Sequence, residues 1–294
     1  MSAYKRKDVM IMTKLSLKGL LLHIRAKLSD RAFIAISAVY VAFCLFSSVW
    51  WTVNFKGSYL AMSALFILLV PAVPIAEYLI GMRCGAVFVT LVYTIAGGSI
   101  LGSPFALYSI LPHFDTLLHG LSGVLFAALG FTLAERFFGK AEGAKKFAGA
   151  VAFALCFSLG IAVVWEIHEY MCTIVLGMET MDDTLIDGFK SFVLGGGRHN
   201  PVILDGIYET VIYYGEGERY VIEGGYLDIG IIDTVMDMII CTVGALVFAI
   251  IAVISHNKLP IINKSLIPEA VYAAPDAERE AACESDARDE AEIS

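Results

Sequence analysis

Asp115 and His119, Glu166 and Glu169, and Asp233 and Asp237 are pairs of ionisable residues, three or four positions apart, each inside a long apolar stretch. Helical residues four apart lie about 40° apart around the axis and about 6 Å apart along it, so each pair shares a face. Ser122 continues the Asp115–His119 stripe, whereas His168 points away from Glu166. Ionisable groups at membrane depth are costly and mark ion pathways, proton relays or active sites. Carboxylates confined in one low-dielectric pocket do not all ionise without cations, and no Lys or Arg accompanies these within the predicted spans except Arg136 at a far boundary. The cations left are bound metals, protons or a cationic substrate.

Mixed carboxylate and imidazole ligands suit divalent Zn, Mn or Fe. Paired ligands projecting inward from bundle helices are also the layout of di-metal carboxylate sites, although the spacing departs from their Glu-x-x-His pattern. The expected ligands are Asp115, His119, Glu166, Asp233 and Asp237, with Glu169 or His168 as general base and Ser122 as a donor behind the ligands. Such a metal would activate water and polarise a phosphoryl or carbonyl oxygen. The favoured reading is a metal-dependent hydrolase or transferase acting on a lipid or lipid-linked substrate. Its rival is a proton- or cation-coupled transporter, against which stands the absence of a clear internal repeat. A third reading is a non-catalytic scaffold or sensor.

These residues need helices to hold them. The chain has 294 residues, 58% of them hydrophobic, and a mean hydropathy of +0.73, beyond a soluble domain. The expected fold is an all-α polytopic bundle of six transmembrane helices: about 32–53, 58–80, 85–108, 113–136, 147–176 and 227–254. Pro71 and Pro74 should kink the second helix, and Gly97, Gly98, Gly102 and Pro104 should fray the third near one end. A 1.5 Å rise places His119 about 25 Å from the boundary at Arg136, Asp237 about 27 Å from Ser255, and Glu166 about 30 Å from Lys146. Three helices of alternating direction thus carry their pairs to one level.

Eight Lys and Arg between Lys5 and Arg31, with Arg83, Arg136, Lys140, Lys145, Lys146, Lys258 and Lys264, lie on one side of this arrangement. Positive-inside logic then puts both termini in the cytoplasm and the chain in the plasma membrane, with its acidic pairs near the outer face. No cleavable leader is expected, because the basic start runs into a Lys-dotted segment. The domains read as a basic N-terminal segment (1–31), a membrane domain (32–254) with an extracytoplasmic loop (178–226), and an acidic, disordered tail (255–294). Residues 11–28 could lie on the inner leaflet as an interfacial helix. In the loop, Met181–Asp187 could form a short helix, and residues 210–214 and 219–222 flank Gly215-Glu216-Gly217-Glu218 as a β-hairpin. The six scattered cysteines have neither disulfide-framework nor zinc-finger spacing. Membrane lipid is the expected partner, and nucleic acid is not.

The blocks Pro112-His113-Phe114-Asp115-Thr116-Leu117-Leu118-His119-Gly120, Trp165-Glu166-Ile167-His168-Glu169 and Asp233-Thr234-Val235-Met236-Asp237-Met238 resemble the signature blocks of the YjdF-like inner-membrane proteins. Those are multi-spanning proteins without an assigned activity. By resemblance, His113, Asp115, His119, Glu166, Glu169, Asp233 and Asp237 fall on that family's polar signature positions, while the loop before the last span is longer than the family's usual connection. Gly120-Leu121-Ser122-Gly123 also resembles the Gly-x-Ser-Gly of rhomboid intramembrane proteases, which pair the serine with a histidine of the last core span. Here that span has no histidine, and a nucleophile needs a base within reach. Gly and Ser also serve close helix contacts in membranes.

Overall fold

The computed structural model describes residues 16–102, 104–111, 113–178, 180–197, 199–258 and 265–270. The first half of the basic N-terminal segment and the acidic tail beyond 270 lie outside the described residues. Helices are α1 (Leu17–Lys27), α2 (Arg31–Val53), α3 (Gly57–Phe66), α4 (Leu69–Ile80), α5 (Ala86–Gly102), α6 (Leu107–Ile110), α7 (Phe114–Phe138), α8 (Ala144–Leu176) and α9 (Ile231–Lys258). Strands are short: β1 (Met82–Arg83), β2 (Leu185–Ile186), β3 (Phe189–Ser191), β4 (Val202–Leu204), β5 (Glu209–Tyr214), β6 (Glu218–Glu223), β7 (Tyr226–Leu227) and β8 (Glu269–Ala270).

Among the described residues, five helices are long and apolar enough to cross a membrane: Arg31–Val53, Gly57–Ile80, Phe114–Phe138, Ala144–Leu176 and Ile231–Ile254. The helix expected over 85–108 is shorter. It ends at Gly102, which gives α5 about 26 Å of rise against a hydrocarbon core of about 30 Å. By length and composition, five described helices could cross a membrane, and α5 is too short to be counted with them. The second crossing is interrupted at Ile67–Leu68, and α4 restarts so that Pro71 falls in its first turn. A first-turn N–H has no partner within the helix, so proline costs little there. At the start of α2 the Asp30 side chain accepts from the Ala32 N–H at 2.9 Å, capping the helix.

α7 is the central element. It packs along α8, α9 and α5, and α8 also packs on α9. Small residues permit this closeness. A Cβ at Gly123 would collide with the Cys241 carbonyl oxygen of α9, and one at Gly244 of α9 would collide with that of Gly120. The Gly-Leu-Ser-Gly sequence is thus the seam between α7 and α9. Phe131 of α7 meets Phe147 of α8 and Phe248 of α9 edge-on, while α2 joins α5 through stacked Tyr40 and Tyr93 rings 4.3 Å apart.

At the end of the bundle that carries α1 and β1, Glu77 of α4 is almost wholly buried, and Lys27 Nζ of α1 meets its carboxylate at 2.6 Å. His23 Nε2 lies 3.0 Å from the same carboxylate, and the Cys84 backbone N–H donates to it at 2.6 Å. Burial and then the neighbouring Glu77 charge push the Cys84 thiol up. Residues 265–270, expected in a loose tail, instead return to this end. β8 pairs antiparallel with β1, and Thr132 Oγ1 donates to the Pro268 carbonyl at 2.6 Å.

The opposite end carries the loop, a nest of antiparallel pairs: β2 with β7, β3 with β4, and the expected hairpin β5 with β6. The short helix expected at Met181–Asp187 does not form, because Leu185 and Ile186 pair with Leu227 and Tyr226 as β2. Asp228 ties the nest to α9. Its carboxylate accepts from the Ile232 N–H at 2.7 Å, the Thr184 N–H at 2.9 Å and the Gly230 N–H at 3.3 Å. Burial opposes ionisation, but these three donors outweigh it and hold the Asp228 carboxyl below the usual carboxylate range.

Two predictions follow from this packing. Gly123→Val should lower thermal stability in detergent by about 1–3 kcal/mol, whereas Gly149→Val, where a Cβ meets open space, should leave it unchanged; equal melting temperatures would refute the seam. Asp228→Asn should loosen the loop at neutral pH, read as faster amide exchange at Thr184 and Ile232. Because the folded pKa is depressed, the wild-type advantage is present above about pH 4, the unfolded value. It should disappear as pH falls through the lower folded value.

Candidate metal centre

Asp115 and His119 sit one turn apart near the loop end of α7, Glu166 and Glu169 near the loop end of α8, and Asp233 and Asp237 in the first turns of α9. Because the three helices pack on one another, the pairs converge. His119 Nε2 lies 3.4 Å from Asp115 Oδ2 and 3.5 Å from Asp237 Oδ2, and its Nδ1 lies 4.0 Å from Glu166 Oε1. Ligand atoms of Asp115, His119 and Asp237 all fall within 4.8 Å of one another, as do those of His119, Glu166 and Glu169.

These separations are informative. A charge-assisted hydrogen bond between imidazole and carboxylate is about 2.7–2.9 Å long. Two ligands of a tetrahedral ion with bonds of about 2.1 Å stand about 3.4 Å apart. The two edges from His119 Nε2, to Asp115 and to Asp237, match the second spacing and exceed the first. His119, Glu166 and Asp237 are buried, and neither oxygen of Glu166 nor Oδ2 of Asp237 accepts a hydrogen bond from a described residue. Unsatisfied buried carboxylate oxygens call for a cation or a proton.

A neutral imidazole offers one nitrogen to a metal and keeps its proton on the other. With Nε2 facing Asp115 and Asp237, the proton belongs on Nδ1, which points toward Glu166 and lies 3.7 Å from Cys241 Sγ. The two triads share this ring, and His119 Nε2 stands closer to Asp115 and Asp237 than Nδ1 does to Glu166. Asp233 does not join either triad. Its Oδ2 accepts from the Asp182 backbone N–H at 2.9 Å, fastening the loop to the rim of the site.

The remaining expected residues separate. Glu169 stays with the cluster and lines its cavity. His168 does not: it is exposed on the far face of α8, its ring 5.4 Å from Trp165 and its Nε2 3.5 Å from Cys172 Sγ. His113 is exposed at the N-cap of α7 with a left-handed φ of 63°. Ser122 Oγ donates to the His119 carbonyl at 2.8 Å and lies 3.4 Å from Cys241 Sγ, an arrangement that props the His119 turn and leaves the hydroxyl without a base.

Sequence reasoning passed over three residues. Cys241 is buried against His119, and its place one turn after Asp237 is a signal that helical periodicity offered. Asp182 and Tyr108 reach the rim from non-helical connections and α6, and no local pattern announces them. Partial burial and the charges of Asp115, Glu169, Asp182 and Asp237 push the Tyr108 phenol up to about 12. Tyr108 is therefore a neutral hydrogen-bond donor at the mouth of the cavity.

A family model described as "Predicted membrane protein (DUF2238)" matches residues 32–258, and the chain belongs to that family, which is the YjdF-like family. No curated protein and no solved structure matches the chain.

Proposed function

We propose that this membrane protein holds a divalent Zn, Mn or Fe ion between Asp115, His119 and Asp237 and uses it as a hydrolase or transferase on a lipid or lipid-linked substrate. The observation that carries the reading is the 3.4 and 3.5 Å spacing of His119 Nε2 from two carboxylate oxygens, one of them buried without a hydrogen bond. Spacing of this kind suits ligands around an ion better than partners in a hydrogen bond.

Each surrounding group has a task in this scheme. Glu166 lies on the Nδ1 side of His119, 4.0 Å away, where its charge would favour a ring turned with Nε2 toward the ion. Glu169, in the cavity wall, is the general base for a water or substrate hydroxyl. Tyr108 is placed to donate a proton or hydrogen bond to an oxygen at the mouth. The ion supplies polarisation of a phosphoryl or carbonyl oxygen and a more acidic bound water.

The same reading includes six crossings, with α5 completing the set by tilting little in a locally thinned bilayer. It also puts both termini in the cytoplasm, so that the loop and the metal centre face outward. The basic residues at the other end of the bundle support that orientation.

Three measurements test these statements. Elemental analysis of the detergent-purified protein should find about one equivalent of metal, lost in Asp115→Asn, Asp237→Asn. A chelator should lower the wild-type melting temperature, by about 2.7 kcal/mol of stability for an ion present at 100 times its Kd, and should not affect the variant. Metal-free wild type, indifferent to chelator and tracking pH instead, would reject the ion and favour proton-coupled transport. For orientation, Glu216→Cys at the hairpin tip should react with an impermeant thiol reagent on intact cells; protection there would reverse the topology.

A further inference from the structure

α1 presents three different faces. Leu17, Leu21, Ile24 and Leu28 recur at spacings of four, three and four, which puts them within about 60° of one another around the helix. His23 and Lys27 lie about 100° to one side of this stripe, and Lys18 and Arg25 about 90° to the other. The His23–Lys27 face is docked: both side chains meet the Glu77 carboxylate, at 3.0 and 2.6 Å, and the Ser16 N–H at the head of the helix donates to the Tyr78 hydroxyl at 3.0 Å. The other two faces look away from the protein. Leu17, Leu21 and Leu28 are 73%, 58% and 55% exposed, and Lys18 and Arg25 are exposed beside them.

The leucine stripe cannot turn into the bundle. Through Leu28–Asp30 the chain passes directly into α2, the first crossing helix, and Ser29 Oγ donates to the Arg25 carbonyl at 3.0 Å within that turn. Glu77 and Tyr78 belong to the last turn of the second crossing helix. α1 is thus pinned where two crossings end, at the boundary between hydrocarbon and water, with its bundle side already occupied. A helix held at that level matches an interfacial element, which sets an apolar face against the acyl boundary and a basic face among the headgroups. Charge complements that setting. Leu17–Lys27 contains no acidic residue, and among the described residues no carboxylate forms an ion pair with Lys18 or Arg25. Arg83, Lys145 and Lys146 add exposed positive charge at the same end.

We infer that α1 is a membrane-surface element that binds anionic lipid. Its leucine row sinks into the acyl edge of the leaflet at this end of the bundle, and Lys18 and Arg25 gather anionic headgroups around it. The bilayer is already in contact with that level, whereas a protein partner would first have to displace lipid from it. The inference needs only the crossing helices. It holds whichever side of the membrane this end faces, and it stands apart from the metal centre at the opposite end.

Tryptophan fluorescence of the full-length protein in phosphatidylcholine vesicles tests this. Wild-type emission, from Trp50, Trp51 and Trp165, is subtracted from that of Leu21→Trp and of Ala26→Trp, whose position stands about 140° around the helix from Leu21. Brominated phosphatidylcholine should quench most of the emission added by Leu21→Trp and little of that added by Ala26→Trp. Both positions are exposed, so neither substitution disturbs packing. As a minor component of the vesicle, brominated phosphatidylglycerol should quench Leu21→Trp with a constant at least about threefold that of brominated phosphatidylcholine. Adding Lys18→Gln and Arg25→Gln should remove that preference. Equal quenching at positions 21 and 26 would overturn the placement of the helix, and equal constants for the two lipids would overturn the headgroup binding. A position 21 shielded both from brominated lipid and from aqueous acrylamide would mean that a protein surface, a second copy of this chain included, covers the stripe, and would reject lipid as its occupant.

Discussion

Burying a carboxylate among apolar helices is unfavourable unless something positive or protic accompanies it, and this chain meets that constraint in two ways. At the end with α1 and β1, Glu77 is satisfied from within: Lys27, His23 and the Cys84 N–H converge on it. At the loop end, Glu166 and Asp237 are buried to a similar degree, and no lysine or arginine pairs with them among the described residues. The first arrangement completes itself. The second is complete only with a cation or protons, and everything about the loop end is arranged around that demand.

Packing makes the demand acute. Gly120, Gly123 and Gly244 let α7 and α9 approach until backbone meets backbone, and a larger side chain at Gly123 or Gly244 would hold the helices apart. Were they apart, Asp115 and Asp237 would each see solvent or lipid singly rather than share one imidazole. The serine within that seam props the carbonyl of the His119 turn. A motif that on paper resembles a nucleophile is, in three dimensions, what sets the distance between ligands.

The loop is continuous with this centre. Asp228 binds the first turn of α9 and the strand nest together, and the Asp182 N–H occupies Asp233, one turn above Asp237. Thr180 adds a bond to the Glu169 carbonyl at 2.8 Å. Movement of the nest therefore acts on the helices that carry the acidic pairs.

The membrane class, the long apolar helices and the three acidic pairs are legible in sequence alone, because hydropathy and a 3.6-residue repeat are local properties. Convergence at one level also follows from counting along alternating helices. The β2 strand in place of a helix at Met181–Asp187 and the return of residues 265–270 onto β1 are decided by pairing between distant segments. So is the recruitment of Tyr108 and Asp182 to the rim of the site. Which face of α8 meets α7 is settled by glycine-scale fit across the whole bundle, and that fit sends Glu166 inward and His168 outward although they are two residues apart. Local periodicity states which residues share a face; only the packing of three helices determines what that face looks upon.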